Sequence, residues 1–155
     1  MKLSYSTRGW YSLPADQLLS AAGEMRFAGL EIYDLCKHTE LFEKGAPFEK
    51  YRLNATLRAL RDQGVELVCL DTSLDPTVIG SGEKIEWTIK QASEMRVPYV
   101  SIEVMTDREE FALKEISGLL GTAKQYGVSI LVKTKGIYAD SGRLAAMLDS
   151  FADDD

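Results

Sequence analysis

The sequence predicts an α/β fold made of five strand and helix units, and three observations carry that prediction. Four apolar, β-branched runs of strand length recur: "AGLEIYD" from Ala28, "GVELVCLD" from Gly64, "VPYVSIEV" from Val97 and "GVSILVKT" from Gly127. Each is marked at its start by a Gly or Pro breaker, and each breaker follows a stretch of helical periodicity. The 155 residues are 45% apolar and 27% charged, the balance of one folded domain with ample length for a core.

Taken in order, the chain opens on a strand at "KLSYSTRG". A first helix follows, in which Pro14 and Asp16 suit the first turn and Leu18, Leu19, Ala22 and Met25 share one face. After the second strand, "CKHTELFEKGA" forms a long connection to a helix expected from about Phe48 to Asp62, with Tyr51, Leu53, Leu57 and Leu60 as its apolar positions. The third strand leads through "TSLDPTVIGSG" into "GEKIEWTIKQASEM", where Ile85, Ile89, Ala92 and Met95 line one side. "FALKEISGLLGTAKQY" supplies the fourth helix and "ADSGRLAAMLDSF" the fifth, with Asp140 or Ser141 as its N-cap.

Such alternation implies a parallel sheet with right-handed crossovers. Two architectures satisfy it. A doubly wound, flavodoxin-like sheet of five strands would be complete at this length, whereas a (β/α)8 barrel takes about 250 residues. No linker or low-complexity segment divides the chain, so residues 1–155 read as a single domain.

Composition also excludes. Net charge is −6 with no basic stripe, so nucleic acid is not an expected partner. No apolar run reaches the roughly 20 residues of a membrane span, and the start "MKLSYSTRG" lacks a secretory signal, which places the expected location in the cytoplasm. Cys36 and Cys69 form neither a C-x-x-C pair nor a zinc-like cluster, and a lone His38 cannot build a metal site.

Strand parity then isolates the polar residues. With Leu30 and Ile32, Val100, Ile102 and Val104, and Val128, Ile130 and Val132 packing against helices, the opposite face receives Glu31 and Tyr33, Ser101, Glu103 and Met105, and Ser129, Leu131 and Lys133. Ser4, Ser6 and Arg8 join them from the first strand, and Cys69 and Asp71 from the third, where the pattern is less clear. Toward the strand ends Glu31, Asp71 and Glu103 would meet Arg8 and Lys133, either as a salt-bridged plug or as a site. Strand ends in such folds are favoured positions for chemistry.

The segments "YSTRGW", "GLEIYDL", "CLDTS", "RVPYVSI" and "YGVSILVKTKGIYAD" resemble, in order, successive parts of xylose isomerase-like TIM barrels, the sugar phosphate isomerase/epimerase superfamily. The resemblance implies a partial (β/α)8 TIM barrel: five parallel βα units with helices on the outer face, forming the N-terminal portion of the complete fold. It implies isomerisation or epimerisation of a sugar or sugar phosphate in the complete family, supported by a divalent metal, Mn²⁺, Mg²⁺ or Zn²⁺. A glutamate commonly closes the fifth strand there as a metal ligand, and the matching residue here is Lys133. The other ligands belong to strands six to eight, so this chain is expected to carry no metal ligand and to be inactive alone.

The candidate substrate-binding residues are therefore Arg8, Trp10, Glu31, Tyr33, Asp71, Glu103, Lys133 and Lys135, with no catalytic residue assigned. Lys133 can be an ion-paired barrel residue partnered by Glu103 or Glu31, a cationic anchor for a sugar, phosphate or carboxylate, or a Schiff-base amine. Trp10 and Tyr33 suit the walls of a sugar pocket. "GSG" at Gly80 to Gly82 reads as a plain turn, because Glu83 would repel an anion at that helix start. An open barrel exposes its first and fifth strands, so the expected partners are a second copy of the chain or the missing C-terminal half. The alternative is a non-catalytic, flavodoxin-like binding module.

Overall fold

A computed structural model describes residues 2–9 and 14–152. Five strands run parallel: β1 (Ser4–Ser6), β2 (Gly29–Ile32), β3 (Glu66–Asp71), β4 (Tyr99–Ile102) and β5 (Ser129–Val132). They alternate with α1 (Ala15–Glu24), α2 (Leu53–Asp62), α3 (Ser81–Met95), α4 (Glu109–Tyr126) and α5 (Ser141–Phe151). The sheet order is β1-β2-β3-β4-β5, so each strand pairs with its neighbours in sequence and β1 is an edge. A doubly wound sheet would place β1 inside, and this order excludes it. Right-handed crossovers repeated in one direction put all the helices on one side of the sheet.

Burial agrees with that arrangement. Leu30, Ile32, Leu67, Leu70, Val100 and Ile102 form one core with Leu60 of α2, Ile85 and Ile89 of α3, and Ile116 and Leu119 of α4. On the opposite, lumen-facing side Tyr99 and Leu131 are each 42% exposed. Among the described residues β1 and β5 each pair with one strand only, so the sheet is an open arc rather than a closed cylinder. This is an α/β partial barrel of five units.

One irregularity decides which residues reach the lumen. Leu30 pairs with Leu67 but Glu31 pairs with Cys69, leaving Val68 as an extra residue in β3. A bulge of this kind reverses the alternation beyond it. Leu67 and Leu70 therefore both face the helices, while Cys69 and Asp71 turn inward. Val68 also packs toward β2, where Gly29 makes room: a Cβ there would lie 2.2 Å from Ser4 Oγ and 3.0 Å from Val68 Cγ1.

The helix expected from Phe48 begins instead at Leu53. Residues 48–52 form turns fastened by local bonds, Gly45 N–H to Glu49 Oε2 (2.6 Å) and Thr56 Oγ1 to the Pro47 carbonyl (2.6 Å). Phe48 is buried beside Phe42, which in turn meets the Trp87 ring edge-on, so this segment serves as a plug over α3. Tyr51 is correspondingly exposed, and Met25 ends α1 half in solvent rather than in its packed face. Asp140 caps α5 as expected, accepting from Arg143 N–H at 2.9 Å. Gly80 adopts positive φ ahead of α3, the plain turn that the sequence suggests.

Candidate functional site

The lumen mouth is built at the C-terminal ends of the strands. Asp71, the last residue of β3, is wholly buried. Its Oδ2 accepts from Ser101 Oγ of β4 (2.6 Å) and pairs with Lys133 Nζ, which follows β5. Its Oδ1 accepts from Ser73 Oγ at 2.7 Å. Burial pushes the Asp71 carboxyl up, but the bonds from Lys133, Ser101 and Ser73 and the Lys133 charge outweigh it and hold the group below the ordinary carboxylate range.

Of the three acids that parity brings to Lys133, the one it pairs with is Asp71, two strands away, and not Glu103 or Glu31, the partners expected for a lysine in the place of the metal ligand. Glu103 takes Lys135 instead, Nζ to Oε2 at 3.0 Å. Lys133 Nζ also lies 5.2 Å from the centre of the Tyr33 ring, and the Arg8 guanidinium lies at the same distance from that ring. The Tyr33 N–H donates to Thr7 Oγ1 at 2.9 Å, which ties the end of β1 to β2 and holds Arg8 beside the ring. Glu31 sits one register row deeper, in line with Ser6 and Cys69. Burial, followed by the neighbouring Glu31 and Asp71 charges, drives the Cys69 thiol up to about 12 despite a bond with Ser101.

Seven of the eight candidate residues therefore gather at or just below this mouth, while Trp10 lies outside the described residues. Sequence reading did not single out Ser73 and Ser101, which complete the Asp71 cage. Their signal was the lumen parity of Ser101 and the position of Ser73 two residues after Asp71. Asp75 is a further buried carboxylate, but it closes a loop by accepting from Met105 N–H (2.7 Å) and Thr77. His38 is partly covered and pairs with Glu40 at 2.9 Å.

The divalent metal implied by the resemblance does not fit these residues. Both Asp71 oxygens are engaged, Glu103 holds Lys135, and an ammonium occupies the end of β5. A cation there repels a second one. Among the described residues no three His, Cys, Asp or Glu side chains converge as a metal-binding group. A Schiff-base role needs an amine free of a carboxylate, and Lys133 is bound to one. No described helix is long and apolar enough to cross a membrane.

No protein-family model matches this sequence. No curated protein matches it either. Solved structures do match the fold. The probable 3-DHS dehydratase AsbF from Bacillus anthracis, involved in petrobactin synthesis, superposes with a TM-score of 0.79 at 17% identity, over 96% of this chain and 58% of that one. A xylose isomerase domain protein from Planctomyces limnophilus gives 0.69 at 9% identity, over 97% and 58%. The IOLI protein, solved with a zinc atom, gives 0.68 at 14% identity, over 85% and 51%. The shared fold is that of the xylose isomerase-like TIM barrels, and this chain spans little more than half the length of these neighbours.

Proposed function

We propose that this chain supplies the first five βα units of a sugar isomerase/epimerase-like barrel and does not turn over substrate by itself. The observation that carries the reading is the end of β5, where Lys133 is locked onto Asp71 and, among the described residues, no cluster of carboxylates is left free for a metal. The neighbours' coverage supports the same reading, since this chain covers 58% of each of those two chains. Two sheet edges without strand partners among the described residues, and a lumen in which Tyr99 and Leu131 meet solvent, favour association, with a second copy or with the remaining three units. A sugar is the ligand class that the neighbouring xylose isomerase domain protein suggests, and a sugar phosphate is the one that the sequence resemblance adds.

The test combines sedimentation with an activity assay. The purified chain is expected to self-associate as its concentration rises and to leave a panel of aldoses and ketoses unchanged in the presence of Mn²⁺, Mg²⁺ or Zn²⁺. A monomer that persists at high concentration, or turnover of any sugar in the panel, contradicts the proposal.

A further inference from the structure

We infer that Arg8 and Lys133, set against the ring of Tyr33, form an oxyanion-binding subsite at the lumen mouth that works without a metal. The inference deepens the function proposed above by naming the chemistry of the group held there, a carboxylate or a phosphate monoester.

Three features converge on it. First, among the described residues Arg8 stands outside the mouth's two ion pairs, as does Glu31 one register row deeper. Lys133 is committed to Asp71 and Lys135 to Glu103, whereas among the described residues no carboxylate pairs with the exposed Arg8 guanidinium. Second, both cations are fixed in place. Arg8 and Lys133 come from the first and last strands of the arc, yet each lies 5.2 Å from the same ring, so they stand within two such distances of one another. The Thr7 bond to the Tyr33 amide fixes the base of the Arg8 side, and the buried Asp71 fixes the Lys133 side. Third, Lys133 keeps donors to spare: an ammonium has three, its carboxylate contact is with a single oxygen, and its side chain is 28% exposed.

A guanidinium fork and an ammonium, each beside the same aromatic ring, suit a planar carboxylate or a phosphate, each of which accepts several charge-assisted bonds. Asp71 has a positive part here too. Because it is wholly buried, it anchors the ammonium from below and leaves the solvent side for a ligand oxygen. The chain as a whole carries a net charge of −6, so an anion is not drawn to it by the overall field and must be held by these local donors.

The test is a titration of the ¹⁵N-labelled full chain with inorganic phosphate, with glycolate and with erythritol, followed at the Arg8 side-chain N–H and the Tyr33 amide. Phosphate or glycolate should produce saturable shifts at both, with EDTA present, and the tighter of the two names the substituent; erythritol should not. Arg8→Gln, at an exposed position that leaves the core intact, should weaken binding about tenfold or more, and Arg8→Lys should fall between the two. Absence of saturable shifts with both anions up to tens of millimolar overturns the inference. So does anion binding that Arg8→Gln leaves unchanged. Sedimentation and turnover decide the function proposed above independently: a monomer that binds phosphate at Arg8 keeps this subsite and loses that reading, and an associating chain that ignores both anions does the reverse.

Discussion

Replacing Lys133 with Met removes the charged partner of Asp71 while keeping most of the side chain's volume. Asp71 is wholly buried, and its three side-chain donors are Lys133, Ser101 and Ser73. Losing one bond to a charged group costs about 1.5 to 3 kcal/mol, and stranding a buried charge costs about 3 to 5 kcal/mol. Two hydroxyls still serve the carboxylate and the Lys133 end of the pair is partly solvated, so the lower part of that range applies. We expect a loss of about 2 to 3 kcal/mol at neutral pH.

The pH dependence has a definite sign. In the native chain the folded pKa of Asp71 is depressed, so its contribution is complete above the unfolded value and is lost as pH falls through the folded one. Without the ammonium, burial raises the folded pKa above the unfolded value, and the penalty shrinks as acid protonates the group. Urea unfolding at neutral pH and near pH 5, read by circular dichroism, measures both effects. The gap between native and variant should narrow in acid, and adding Asp71→Asn to the variant should restore much of the loss at neutral pH. A loss below about 0.5 kcal/mol, or a gap that stays constant with pH, would refute the reasoning.

Two further predictions rest on single positions. Gly136 has φ +59°, and a Cβ there would lie 1.9 Å from the Val104 carbonyl oxygen, so Gly136→Ala should cost at least about 2 kcal/mol and lower the thermal midpoint by about 5 °C or more. Cys69 has a thiol pKa of about 12 and is buried, whereas Cys36 is half-buried; brief iodoacetamide treatment near pH 8 should alkylate Cys36 and spare Cys69, as read by peptide mass spectrometry.

The legible part of the fold was the part that period-2 alternation controls. In β2 and β4 the apolar parity set is buried against the helices, and in β5 it is half-buried there. The pattern faltered in β3 because "ELVCLD" holds a bulge, and the extra Val68 removes the simple alternation that a reader would count. The start of α2 was misplaced for a different reason. Phe48 and Tyr51 look like helix positions by spacing, but short side-chain bonds at Gly45, Glu49 and Thr56 favour turns there. Parity placed Lys133 and the acids on one face but could not choose the partner. Sheet twist and the bulge bring Asp71 to the ammonium while Glu103 is taken by Lys135.

The charged and apolar parts of the lumen differ in what they still require. Asp71 with Lys133 and Glu103 with Lys135 are complete within the five strands. Strands added to close the cylinder would desolvate these pairs without leaving either acid alone, a smaller penalty than burying a single charge. The apolar part of the lumen is unfinished, with Tyr99 and Leu131 each 42% exposed and the backbone groups of two edges without strand partners among the described residues. Burying the rest of those two side chains contributes about 1 kcal/mol apiece, and pairing the edges adds hydrogen bonds that no side chain supplies. Closing the arc would therefore call for apolar lumen residues and two strand edges, and neither ion pair needs added charge. A partner selected for basic or acidic complementarity at the mouth would address the part of the structure that already balances, with Arg8 and Glu31 outside the two ion pairs among the described residues.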